Sequence, residues 1–305
     1  DLVYFLLQHP TLISSSDAFK ATPLLHVCSP TLRKHVYVFQ REYATVHPAL
    51  VQLLGTDELT TCVGLIIRNN KSGMTTVSHM DSPHVVDLGL TQMLSLLVDH
   101  NLDAELDVHL IGGYDDTLLE HNKGMSTSES NADLDSHSFP LCSKVVEALQ
   151  RRQEHFHIRT LFVLAHNTRI DSNGISYPIF TGFVVETCTG TITPANFDRS
   201  SRSPDEVVRR IRVTVSSGDP TWNGKLLETY DAKQDRFQIA ACSWTPRWKY
   251  IAQSLQQLSD SEILLRCSTS PLAEGPDFVD NERRYALKIV DLNTPILDNL
   301  KDIIL

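Results

Sequence analysis

Residues 54–83 read LGTDELTTCVGLIIRNNKSGMTTVSHMDSP, and their pattern decides the fold. Val63-Gly64-Leu65-Ile66-Ile67 is an apolar run of strand length, ended by the polar, turn-forming stretch Asn69–Gly73. A second apolar arm, Met74–Ser78, follows it. Two such arms around a short turn form a β-hairpin. Cys62 stands just before the first arm and His79 just after the second, 17 residues later. The outer ends of a hairpin are neighbours across an antiparallel pair, so this spacing predicts a thiol and an imidazole side by side.

Outward from the hairpin, helices and strands alternate. Leu90, Met93, Leu94 and Leu97 fall at i, i+3, i+4 and i+7 and predict an amphipathic helix. Glu105–Ile111 reads as a strand stopped by Gly112-Gly113, and Val145, Val146 and Leu149 mark a helix that leads to a strand at Ile158–Leu164. Further strands are expected at Ile179–Glu186, Leu226–Asp231 and Arg236–Ala240, the last two as a hairpin. Ser203-Pro204-Asp205-Glu206 and Ser259-Asp260-Ser261-Glu262 have the spacing of capping boxes. Thr245-Pro246 and Thr294-Pro295 place an N-cap before a first-turn proline. Asn122–Ser138 is rich in Ser, Asn and Asp, and residues 117–140 are expected to form a mobile loop. The expectation is a mixed α/β (α+β) fold, one domain over residues 1–305 with its core at about 36–280: mixed sheets flanked by helices, Cys and His on adjacent strands.

Composition narrows the function. With 41% hydrophobic and 21% charged residues, 13 Gly and 14 Pro, the 305-residue chain has the make-up of a globular protein. No apolar run approaches the roughly 20 residues that span a bilayer, so a soluble protein without a membrane partner is expected. The 27 Lys and Arg against 37 Asp and Glu give a net charge of −10 with no basic stripe, which argues against nucleic acid. Six widely spaced cysteines, without a CxxC pair, suggest reduced thiols and a cytoplasmic setting, with the nucleus as a second one. The chain opens at Asp1 rather than Met, from which a stretch upstream is expected.

A Cys beside a His has catalytic potential because a thiol of pKa about 8.5 is only about 3% thiolate at pH 7, and a neighbouring imidazole can take its proton. The plainer reading of a lone Cys is a small buried hydrophobe, and thirteen His give many chance pairings. Cys142, near a helix start, is the competing nucleophile. His79-Met80-Asp81, with His84 and Asp87, is compatible with a zinc-dependent aminopeptidase-like hydrolase, although no further ligands are evident downstream. His155-Phe156-His157 reads as a strand-edge surface, and a non-catalytic binding scaffold is a third reading.

The quoted stretch resembles the Cys/His hairpin of the bacterial chemotaxis-receptor glutamine deamidases, which also carry a Thr six residues before the Cys, here Thr56, and a strand followed by Gly-Gly, here His109–Gly113. A closer resemblance is to the eukaryotic protein N-terminal asparagine amidohydrolase family. It runs from about Val36 to Val279 through YVFQREYA (Tyr37–Ala44), TTC (Thr60–Cys62) with His79, HLIGGYDD (His109–Asp116), YDA (Tyr230–Ala232), SWTP (Ser243–Pro246) and STSPLAE (Ser268–Glu274). Residues 117–140 look longer and richer in Ser than that family's pattern. The resemblance implies a monomeric, cofactor-free and metal-free hydrolase that deamidates N-terminal Asn in proteins or peptides; a glutamine or general amidase of the same type is the alternative. It further implies Cys62 as nucleophile, His79 as acid and base, and Thr56 as the residue orienting His79. Asp81, Glu42 and Glu274 are the candidates for holding the substrate's α-ammonium.

Overall fold

The structure is a computed structural model that describes residues 2–28, 33–98, 104–117, 136–216, 220–239 and 246–291. In chain order its strands begin with β1 (Leu25–Val27), β2 (His35–Tyr37), β3 (Glu42–Val46), β4 (Leu53–Thr56), β5 (Val63–Asn69), β6 (Thr75–Met80) and β7 (Glu105–Tyr114). They continue with β8 (His155–Leu164), β9 (Thr168–Ile170), β10 (Ser176–Pro178), β11 (Phe183–Glu186) and β12 (Thr191–Phe197), then β13 (Leu227–Glu228), β14 (Tyr230–Asp231) and β15 (Arg236–Phe237).

The expected hairpin is β5–β6, an antiparallel pair in which Gly64 faces His79 and Val63 faces Met80. It forms the centre of a six-stranded sheet ordered β13-β3-β6-β5-β7-β8, mixed because β7–β8 and β13–β3 are parallel. The apolar run of β5 is continuous because both of its faces are covered. Val63, Leu65 and Ile67 point to a core shared with the helices Leu2–Leu7, Val86–Leu94 and Ser138–Gln150. Ile66, with Val77 of β6, points the other way, onto Leu54, Phe183 and Val185 of a second, five-stranded sheet ordered β1-β12-β11-β4-β2. Each of these side chains contributes about 1.5–3 kcal/mol by leaving water. Gly64 keeps the two sheets in contact: a Cβ there would lie 2.3 Å from the Phe183 ring.

Strand alternation therefore settles where the chemistry faces. His79 shares the parity of Val77, and its ring enters the inter-sheet layer at the end of β4. A separate apolar cluster, Ile211, Val215, Ala252, Ala286 and Ile289, joins the helices Glu206–Ser216, Pro246–Gln256 and Phe278–Asp291.

Several boundaries differ from the sequence expectation. The strand expected to stop at Gly112-Gly113 continues through both glycines to Tyr114, with an irregular register against β8. The helix carrying Leu90, Met93 and Leu94 ends at Leu94, and Leu97 is buried in the following turn. Leu227–Glu228 pairs in parallel with β3, leaving β14–β15 as the hairpin, and β11 begins only at Phe183. The helix after Ser203 starts at Glu206, and Asp205, not Ser203, accepts the Val208 N–H at 3.1 Å. The box at Ser259 and Glu262 forms as expected. Of the loop expected at 117–140, residues 118–135 lie outside the described residues, and Ser138–Pro140 already belong to a helix. Thr245, Thr294 and Pro295 also lie outside them.

Candidate active site

Cys62 and His79 line one cavity of about 390 Å³. One side is the turn from Asp57 to Cys62, and the other is the segment Ser268–Glu274 with the helix Phe278–Asp291.

Both ends of His79 are held. The Thr56 hydroxyl lies 2.9 Å from Nδ1 of the ring, and the Arg41 N–H donates to the His79 carbonyl at 2.7 Å. Nε2 is buried and has no hydrogen-bond partner among the described residues. Burial lowers the imidazole to about 4, although the nearby Asp81 charge works against this. The ring is neutral at rest.

Cys62 leaves the sheet just before β5 begins. Its carbonyl accepts the Gly113 N–H at 2.8 Å, and the Thr60 carbonyl accepts that of Tyr114 at 3.2 Å, so β7 fixes the turn from below. Burial, reinforced by the charges of Asp81 and Glu274, pushes the Cys62 thiol up. The free site therefore holds a neutral thiol and a neutral imidazole, not a preformed ion pair.

The three carboxylates expected to hold an ammonium have different surroundings. Asp81 does not line the cavity: Arg41 Nη2 lies 2.9 Å from it, and the Gln40 amide donates to it at 3.1 Å. Glu42 does not line it either. It is fully buried, 2.7 Å from Arg209 and 2.6 Å from Arg212, and takes the Phe39 N–H at 3.0 Å. Burial works to raise its carboxyl, but the two guanidiniums outweigh it and hold it below the usual carboxylate range. Glu274 does line the cavity, with Oε1 accepting the Ser268 hydroxyl. Burial pushes its carboxyl up, and its charge is felt at Cys62.

The cavity also holds groups that the sequence pattern did not single out. Asp57 accepts from the Tyr37 hydroxyl at 2.6 Å, the Phe197 N–H at 2.7 Å and Arg202 at 3.1 Å. Glu58, at φ 61°, is bridged by Arg202 and Arg210. Burial would raise Glu58, yet Arg210 and Arg202 outweigh it and hold it at about 2. Glu282, from the far helix, also faces the space, and burial pushes its carboxyl up. The Asp-Glu pair between Thr56 and Cys62 was a visible signal. Its arginine partners, some 150 residues away, were not.

The rival residues are engaged elsewhere. Cys142 is completely buried in the helix-facing core and its thiol is pushed up by burial. His84 bonds to Asn223, Asp87 pairs with Lys144 at 2.6 Å, and His155 and His157 are exposed on the edge strand β8. Among the described residues no group of three or more His, Cys, Asp or Glu side chains is placed to hold a metal ion.

Residues 26–297 match the family described as protein N-terminal asparagine amidohydrolase. The chain is 54% identical to the protein of that name from Arabidopsis thaliana, over 94% of this chain and 85% of the relative. It is 32% identical to the one from Sus scrofa and 30% to the one from Homo sapiens, each over 88% of this chain and 82% of the relative. With Cys62, His79 and Glu274 on one cavity and a family match along nearly the whole chain, the protein belongs to the protein N-terminal asparagine amidohydrolase family.

Proposed function

We propose that the protein deamidates the side chain of N-terminal asparagine through a Cys62 thioester. The observation that carries the reading is the shared cavity of Cys62, His79 and Glu274, with His79 Nδ1 held by Thr56 and Nε2 left unpartnered. The Thr56 hydroxyl lies 3.4 Å from the Asp57 carbonyl, so it can donate there while accepting from Nδ1–H. This leaves the lone pair on Nε2, the state a general base requires.

Nε2 takes the Cys62 proton as sulfur attacks the carboxamide carbon. The C–N bond breaks, and imidazolium returns the proton to the departing nitrogen, which leaves as ammonia. Water, deprotonated by the same imidazole, then cleaves the thioester to aspartate and free thiol. Backbone N–H groups at Thr61–Cys62 are assigned to the developing oxyanion by analogy with acyl-transfer sites.

Glu274 receives the substrate's α-ammonium. Asp57 and Glu58 are already occupied by Arg202 and Arg210, whereas Glu274 stands close enough for its charge to reach the thiol. An Asn side-chain amide lies only three bonds from its own amine, so amine holder and nucleophile must be close. The substrates on this reading are proteins or peptides with a free N-terminal Asn.

Cys62→Ala is expected to abolish turnover, and Cys142→Ala to retain most of it; the reverse pattern would move the nucleophile. Mass spectrometry on peptides beginning with Asn, acetyl-Asn, Gln, or Gly before an internal Asn should show a gain of about 1 Da and ammonia for the first alone. Acetylation removes a charge-assisted hydrogen bond of roughly 1.5–3 kcal/mol, and its bulk adds to the loss. Comparable turnover of acetyl-Asn or internal Asn would replace this reading with a general amidase.

A further inference from the structure

The wall that carries Glu274 is an internally bonded unit. The Ser268 hydroxyl donates to Glu274 and accepts the Ser270 N–H at 2.9 Å, while the Ala273 N–H donates to the Ser270 carbonyl at 2.8 Å. Ser270 is completely buried within it. The unit joins the helices Asp260–Cys267 and Phe278–Asp291 and belongs to a part of the fold far from the β5–β6 hairpin in sequence. It meets the turn of the nucleophile through the hydroxyls of Thr61 and Thr269, 2.8 Å apart. Thr61 is the residue next to Cys62 and is only 6% exposed. An internally bonded unit on one side, a turn held by β7 on the other, and the Thr61–Thr269 hydroxyl contact joining them bear directly on the spacing from Glu274 to Cys62.

We infer that Thr269, through its hydrogen bond to Thr61, is a specificity-determining positioning residue: it sets the distance between the amine-holding wall and the nucleophile, and so selects Asn over Gln. The inference rests on the reading of Glu274 as the ammonium partner. Gln places its carboxamide one methylene farther from the amine than Asn does. A wall held at the Asn distance brings the Gln carbonyl past the sulfur, and a misplacement of about 1 Å can cost on the order of 100-fold in rate. A wall free to retreat by that amount would accept Gln and lose its grip on Asn. Thr61 and Thr269 act through geometry; neither is assigned a step in the reaction.

The test is kcat and KM of wild type, Thr269→Val, Thr269→Ser, Thr61→Val and the Thr61→Val/Thr269→Val pair on matched peptides beginning with Asn and Gln. Thr269→Val keeps the shape and removes the hydroxyl. It should lower the Asn-to-Gln ratio of kcat/KM by at least about 10-fold, the scale on which one methylene is discriminated. Thr269→Ser restores the hydroxyl and should keep the wild-type ratio, and the double variant should be no worse than either single one, since both remove the same bond. A folded Thr269→Val enzyme with an unchanged ratio would overturn the inference, as would a serine variant that behaves like valine. Equal losses on both peptides with a lowered melting temperature would reduce the contact to a structural one and would overturn it too. Glu274→Gln in the same series separates the two claims. If it turns over Asn peptides with unchanged KM, the ammonium reading fails whatever the Thr269 variants do.

Discussion

At the scale of single residues, the protonation of His79 is the most consequential feature. A free imidazole titrates near 6.5, but burial brings His79 to about 4. The group is depressed in the folded state, so it stays neutral as pH falls from 6.5 until about 4 is approached. Glu274, whose carboxyl burial pushes up, must also be ionised to hold an ammonium. The acid limb of kcat/KM in the wild type therefore contains both groups, and Glu274→Gln isolates His79. In that variant the limb should fall near pH 4; a limb at 6.5 would mean that the imidazole is not buried as described. The alkaline limb should lie near 7.7–8.0, where the substrate's α-amine loses its proton, and should follow the amine's basicity from peptide to peptide. Only part of this was legible in the sequence. The pairing of Cys62 with His79 was visible because the two lie at the outer ends of a hairpin, 17 residues apart, whereas Thr56 was legible only through the family resemblance. Which acid faces the cavity was not visible, since Asp81 stands two residues from His79 and Glu42 lies within a segment of the resemblance, yet both are turned onto Arg41, Arg209 and Arg212.

At the scale of elements, β7 shows why a pair of glycines misled the reading of a strand end. Gly112 and Gly113 have φ of 116° and 45°, which would ordinarily mark a turn. Here they let the strand pass directly beneath Cys62. A Cβ on Gly112 would lie 2.6 Å from the Cys62 carbonyl oxygen and 3.0 Å from Cβ of Leu59. The glycines are needed for close approach, and strand pairing resumes at Tyr114 opposite Leu164. Gly112→Ala should therefore shift the Cys62 turn as well as strain the strand. The expected result is a fall in kcat of at least about 100-fold, from misplacement of the attacking atom, with a loss of roughly 1–3 kcal/mol in unfolding free energy for the forced backbone. Gly174→Ala is the control, because its surroundings are open: its φ of 78° costs some strain but touches no part of the site. If kcat on Asn peptides is unchanged in a folded Gly112→Ala enzyme, the β7 contact does not position the thiol.

At the scale of the whole molecule, the question is what holds the helical wall against the sheets, and the answer lies in a residue that sequence reading placed in the substrate site. Glu42, on β3 of the six-stranded sheet, is met by Arg209 and Arg212 from the helix Glu206–Ser216, and Arg209 also donates to the Tyr37 carbonyl of β2 at 2.6 Å. The Glu42–Arg209 pair thus ties the helix Glu206–Ser216, which packs with the helices Pro246–Gln256 and Phe278–Asp291, to both sheets. Sequence distance hid this arrangement: the partners are 167 and 170 residues away, and both arginines are essentially inaccessible. Glu42→Gln leaves two buried cations without their anion, so the cost should be about 3–5 kcal/mol, measured by urea unfolding at pH 7. The sign of its pH dependence follows from the lowered carboxyl. The contribution is complete above the unfolded value of about 4.3 and declines as pH falls through the depressed folded value, so the gap between wild type and Glu42→Gln should narrow in acid. Folded Glu42→Gln should keep a KM for Asn peptides close to the wild-type value, because the side chain does not line the cavity and makes no contact there. Glu274→Gln should do the opposite, raising KM for Asn peptides with little loss of stability. If instead Glu42→Gln raised KM at unchanged stability, Glu42 would be the ammonium partner and the arginines its scaffold, and the assignment of the two acids would be exchanged.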